Sequence, residues 1–158
     1  MSEELKSPIV VFKCSTKLFK HPHRVGDTLE NDGHTYLIIG INNYVLYGQH
    51  LTIWFTCQDL NQMNYADSER VWTPVEHWQE VLTRCKYDDV RLKEATTLGR
   101  VFLLEGTWVK AIEYSDIEID GTDIEVSFYA KPIFPISRKE ARAKLFEERR
   151  KKLRIELA

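Results

Sequence analysis

The sequence predicts a mostly β (α+β) protein built as two small β-barrels or meanders in tandem, each followed by an α-helix. Three observations lead there. A gapless offset of 73 residues aligns Val25–Leu60 with Leu98–Ile133. Inside the aligned segments, apolar and polar residues alternate with the period of two that belongs to strands. A helix-start signal then follows each copy.

At this offset Gly26 falls on Gly99, Gly33 on Gly106, Ile39 on Ile112, Gly48 on Gly121 and Phe55 on Phe128. Between these identities Val25 meets Leu98, Leu29 meets Phe102, Leu51 meets Ile124, Ile53 meets Val126 and Leu60 meets Ile133. Three of the five identities are glycines, which mark positive φ or a close backbone approach. Upstream, Lys13 and Lys20 meet Lys86 and Lys93.

The elements follow in order. "IVVFKC" supplies a first strand, and "YDDVRLK" is expected to do the same for the second copy. A turn is expected at Asn31-Asp32-Gly33, and tight turns at Gly48 and Gly121, each between two strands. In "LTIWFTC" Leu51, Ile53, Phe55 and Cys57 face the core, while Thr52, Trp54 and Thr56 face out. In "IEVSFYA" Ile124, Val126, Phe128 and Ala130 face in, while Glu125, Ser127 and Tyr129 face out. Thr73-Pro74-Val75-Glu76 reads as a capping box with proline at the first helical position. Val75, Trp78, Val81, Leu82 and Cys85 then mark one helical face. Ser137-Arg138-Lys139-Glu140 is a second capping box. The expected units are residues 1–86, with a helix at 74–85, and residues 87–158, with a basic helix at 138–157.

The outline "VGDTLENDGHTYLIIGI" resembles small SH3-like barrels of bacterial and phage proteins, including head-to-tail connector proteins of tailed phages. The second copy departs from it, with Arg100 at the position of Asp27 and Val109 at that of Tyr36. The resemblance implies a fold and a habit of binding peptides or partner subunits. It also implies a phage structural protein as one setting, and with it the host cytoplasm or a virion as the location. It carries over no catalytic residue.

Composition is that of a globular chain: 158 residues, 43% hydrophobic and 29% charged, with 7 Gly and 5 Pro. That excludes a largely disordered chain. The start "MSEELKSP" has acids where a secretion signal has lysines, and no run reaches the roughly 18 apolar residues of a membrane span. Three cysteines without paired spacing argue against a disulfide framework and for a reducing cytoplasm. The net charge of −2 is unevenly spread. Ser137–Ala158 holds nine Lys/Arg against four Asp/Glu, and the remainder 13 against 20. An acidic body carries a basic tail.

Motifs for chemistry are sparse. His21-Pro22-His23 with Cys14 is the best metal candidate, but a closed zinc site needs four ligands, usually in paired short spacings. Cys57, Cys85, His34, His50 and His77 stand alone, so neither a metal nor a cofactor is expected. No nucleophile elbow, phosphate-binding glycine loop or HExxH helix occurs. The acids Asp88-Asp89, Asp116, Glu118 and Asp120 read as solvated faces. The candidates that remain are aromatic and basic. Trp54 and Tyr129 lie on outward strand faces, with Tyr44, Tyr47 and Tyr114 near the same hairpins; Trp and Tyr are the usual anchors of protein interfaces. Arg149, Arg150, Lys151, Lys152 and Arg154 form a basic stretch on the last helix.

The expected function is a non-enzymatic interaction module, a subunit or adaptor of a larger assembly whose partners are proteins. The alternative is a nucleic-acid-binding or regulatory protein using the basic helix and exposed aromatics. An enzyme without a local motif ranks third. No membrane partner is expected.

Overall fold

A computed structural model describes residues 7–62, 78–148 and 156. They form an open antiparallel sheet with two short helices. The strands are β1 (Ile9–Lys17), β2 (Thr28–Asn31), β3 (His34–Tyr47), β4 (His50–Asp59), β5 (Gln79–Lys86), β6 (Val101–Leu104), β7 (Thr107–Asp120) and β8 (Asp123–Pro132). The helices are α1 (Arg91–Ala95), between β5 and β6, and α2 (Arg138–Glu148), after β8. The hydrogen-bonded order is β1-β4-β3-β7-β8-β5, with β2 on β3 and β6 on β7.

The two halves repeat each other strand for strand. Adding 73 to β2, β3 and β4 gives β6, β7 and β8 with identical bounds. The pairing of β3 with β4 shifts register between Ile38 and Gly40 and between Ile41 and Asn43. The pairing of β7 with β8 shifts between Ala111 and Glu113 and between Tyr114 and Asp116, the same positions one repeat later. Such bulges bend a strand and sharpen its twist. They let each 14-residue strand pair with a short partner at one end and reach the other half beyond the bend.

Turn chemistry sets the register. Asp32 and Gly33 have φ of 50° and 76°, and Glu105 and Gly106 have 48° and 82°. Two successive positive φ values make type I′ turns, whose twist matches the flanking strands. Gly48 and Gly121 open the other two hairpin loops with φ of 58° and 62°.

The two inward rows read from the sequence form the core. Leu51, Ile53, Phe55 and Cys57 of β4, and Ile124, Val126, Phe128 and Ala130 of β8, are all buried. They belong to one continuous cluster that also holds Ile38, Ile41, Tyr114, Ile117, Leu18 and Leu92. Burial lifts the Cys57 thiol to about 11, so it is neutral packing material at physiological pH. Cys14, Cys57 and Cys85 are all free thiols. The edge strands carry outward charges, Lys13 and Lys17 on β1 and Arg84 and Lys86 on β5, which guard unpaired backbone edges.

Three expectations need correction. Residues 79–85 are not helical: β5 pairs with β8 from Gln79↔Ala130 to Lys86↔Asp123. Val81 and Cys85 pack on the core while Leu82, Arg84 and Lys86 point away, so the stretch has a period of two that the helical reading of Val81, Leu82 and Cys85 hid. The capping box Thr73–Glu76 lies outside the described residues. "YDDVRLK" is not a strand but a turn leading into α1. The match of Lys13 and Lys20 with Lys86 and Lys93 also fails. Val10 and Gln79 take equivalent places beside Cys57 and Ala130, so the first strands correspond at an offset of 69. The four extra residues of the second half lie between Lys86 and Gly99, where α1 is inserted.

α2 starts as expected: the Glu140 amide donates to Ser137 Oγ at 3.2 Å and the Ala141 amide to the Ser137 carbonyl at 2.8 Å. Arg149, Arg150, Lys151, Lys152 and Arg154 lie outside the described residues, as does the expected helix over residues 149–155; Glu156, expected near its end, is not helical. No helix among the described residues is long and apolar enough to cross a membrane.

The shared core yields a stability prediction. Phe55→Ala and Phe128→Ala should each cost roughly 3–5 kcal/mol. Denaturation of either variant, followed by tryptophan fluorescence and far-ultraviolet circular dichroism, should show one transition displaced as a whole. Two separated transitions would mean that each half closes its own core.

Candidate functional sites at the seam and on the second repeat

The halves meet where Ile41 pairs with Tyr114. These residues are one repeat apart and run antiparallel, so a pseudo-two-fold axis passes between them. Around it, the Tyr44 and Tyr114 rings pack edge to face at 5.3 Å. Both hydroxyls end on Thr96, which is fully buried: Tyr44 bonds its Oγ1, and Tyr114 donates to its carbonyl at 2.7 Å. Thr96 Oγ1 in turn donates to the Leu92 carbonyl at 2.8 Å, which fastens α1 to the seam. Burial, with Tyr44 alongside, pushes the Tyr114 phenol up to about 12. Tyr44 and Tyr114, expected near the surface, thus anchor one half to the other.

Under exact symmetry each half would lay the connection after its first strand over the long strand of the other. The two connections differ. The shorter one, residues 18–25, is fastened to β7 by Arg24 to Asp116 at 2.8 Å, Arg24 to Glu118 at 3.5 Å and His21 to Glu118 at 3.4 Å. The longer one, residues 87–98 with α1, lies by the end of β3. There Asn43, Val45 and Thr97 occupy the positions of Asp116, Glu118 and Arg24, so none of these three contacts has a counterpart. A cleft of about 450 Å³ opens there. Tyr44, Tyr87, Tyr114, Leu46, Leu92 and Leu98 make its walls. Asp88, Asp89 and Lys93 supply its charges. Arg91 grips Asp89 with two guanidinium hydrogen bonds of 3.0 and 2.7 Å, and its amide adds a third at 2.9 Å.

A second asymmetry lies on the outer face of the sheet. Leu103 of β6 stands opposite Trp108 of β7, and the Trp108 carbonyl accepts from the Ile133 amide at 2.7 Å. Leu103, Trp108 and Ile133 make one outward row across three chain segments, 57%, 50% and 36% exposed, with Val101 beside it. The equivalent row of the first half is Glu30, Thr35 and Leu60, with Thr28 beside it. Trp108 and Leu103 were missed in the sequence because they sit in a short hairpin. The offset of 73 held the signal: it sets Leu103, Trp108 and Val101 on Glu30, Thr35 and Thr28, and Ile133 on Leu60.

The other candidates are scattered. Trp54 is half-buried, with the Lys13 ammonium 5.7 Å from its ring. Tyr47 projects from the tip of the β3–β4 hairpin and is 83% exposed. Tyr129 is half-buried against Trp78, ring centroids 6.2 Å apart. Cys14, His21 and His23 line one small cavity of about 100 Å³. Among the described residues no three His, Cys, Asp or Glu side chains are grouped to hold a metal ion.

Asp89 gives a measurable check on the rim. Hydrogen bonding to Arg91 holds its carboxyl down at about 2. Because the native value is depressed, the pair stabilises the fold fully above the ordinary carboxylate value of about 3.9, and that contribution disappears as pH falls through about 2. Arg91→Ala should return Asp89 toward about 3.9 in a carboxyl-carbon titration by nuclear magnetic resonance. An unmoved titration would show that Arg91 does not set it.

No protein-family model, curated protein or solved structure matches this chain.

Proposed function

We propose that the protein is a non-enzymatic interaction subunit or adaptor that docks a partner protein on the outer face of its second repeat. The observation behind this is the row Leu103–Trp108–Ile133 set against Glu30–Thr35–Leu60. The two rows share backbone, register and turn type, so the fold does not require the apolar one. Exposed apolar side chains clustered beside a tryptophan fit a protein contact, where Trp and other large side chains contribute most of the affinity. The reading of each half as an SH3-like module is part of this proposal. Its support is the strand order β2-β3-β4-β1, repeated as β6-β7-β8-β5, with bulged long strands that curl the sheet. Trp54 and Tyr47, on the first half, are secondary contact candidates.

The test uses the full chain as bait, with variants that separate binding from folding. Trp108→Ala and Leu103→Glu should each weaken capture of a partner recovered by the wild type, by about 2 kcal/mol or more for the tryptophan. Both side chains are half-exposed, so melting temperatures should stay close to the wild-type value. Glu30→Ala, at the equivalent place in the first half, should leave capture unchanged. Retained affinity in Trp108→Ala, or equal losses in Trp108→Ala and Glu30→Ala, would remove this face from the function.

A further inference from the structure

We propose that the cleft beside α1 binds a free apolar α-amino acid, with its side chain among the tyrosines and its two charges on Asp88 and Lys93. The argument begins from asymmetry. A connection four residues shorter covers the equivalent place in the other half and is held by two Arg24 ion pairs and a His21–Glu118 hydrogen bond. On the α1 side the insertion adds a wall, and Asn43, Val45 and Thr97 replace the charged residues that would close it. The space that results, about 450 Å³, lies within the usual range of small-ligand sites.

The chemistry of the lining narrows the ligand. Tyr44 and Tyr114 have spent their hydroxyls on Thr96, so what they offer a ligand is ring surface. With Tyr87, Leu46, Leu92 and Leu98 they form an apolar body site. Three charged side chains line the cleft. Asp89 is neutralised by Arg91. Asp88 and Lys93 have no ion-pair partner among the described residues, and they carry opposite signs. A ligand with an apolar body and one charge of each sign complements all of this. A free apolar amino acid has that form, whereas a residue at a peptide terminus keeps only one of the two charges. The tyrosine–threonine network makes the pocket preformed, which lowers the ordering cost of binding a small ligand.

The test is a calorimetric titration of the full chain with L-phenylalanine, phenethylammonium, 3-phenylpropionate and N-acetyl-phenylalanine amide. Phenylalanine should bind tightest, with a dissociation constant on the order of 1 mM or below. Loss of either charge should weaken binding roughly two- to fivefold, as expected for exposed ion pairs. In Asp88→Asn phenylalanine should bind no better than 3-phenylpropionate, and in Lys93→Ala no better than phenethylammonium. Amide shifts on phenylalanine addition should fall in residues 43–46 and 87–98. Absence of binding, equal binding of all four probes, tighter binding of the blocked amide, or shifts confined to other strands would each overturn the proposal. Asp88 and Lys93 are exposed, so these variants should keep the fold, and unchanged melting curves verify it.

Discussion

The contact of the two long strands at Ile41 and Tyr114, locked by the Thr96 hydroxyl and carbonyl, is the constraint on which the rest of the structure depends. Each half contributes one curled sheet with an apolar face. Joining them about the axis merges the faces into one cluster. The bulges after Ile38 and Ala111 make this geometry available, because a straight 14-residue strand could not serve a hairpin at one end and the seam at the other. Gly40 lies close to its own equivalent: a Cβ there would stand in ordinary contact, 3.4 Å, with Oε1 of Glu113, the residue one repeat later.

Much of this was legible in the sequence, for identifiable reasons. Glycines at turns and alternating residues on β4 and β8 report local geometry, and these are the positions where the offset of 73 holds. The first strand of the second half was not legible. Val81, Leu82 and Cys85 satisfy a helical spacing as well as a strand spacing, and the tie is broken only by β8 lying alongside. The insertion that makes α1 shifted the upstream alignment by four, which made lysines coincide without structural meaning. Helix α2 was legible at its start because capping is local.

The candidate sites divide along the same line. Parity placed Trp54 on an outward face, yet it cannot say whether a neighbouring lysine covers the ring. Proximity to hairpins suggested Tyr44 and Tyr114 as contact residues, whereas the pseudo-two-fold axis turns both inward. The cleft was invisible for a physical reason. It is built from the end of one repeat's strand and the insertion of the other, and no linear motif spans them. The apolar row at Trp108 could have been found by comparing the two copies for differences instead of identities.

A pair of identical subunits offers every surface twice, related by a half-turn. Covalent linkage of the two halves lifts that obligation. One connection has grown into a helix while the other has stayed short, and Leu103, Trp108 and Val101 stand where the other half has Glu30, Thr35 and Thr28. The molecule therefore has a direction: among the described residues, the cleft beside α1 and the row at Trp108 each occur in only one of the two halves. If the chain is a subunit as proposed, its assembly receives an end that differs from the other end, which a symmetric dimer of the same fold could not supply.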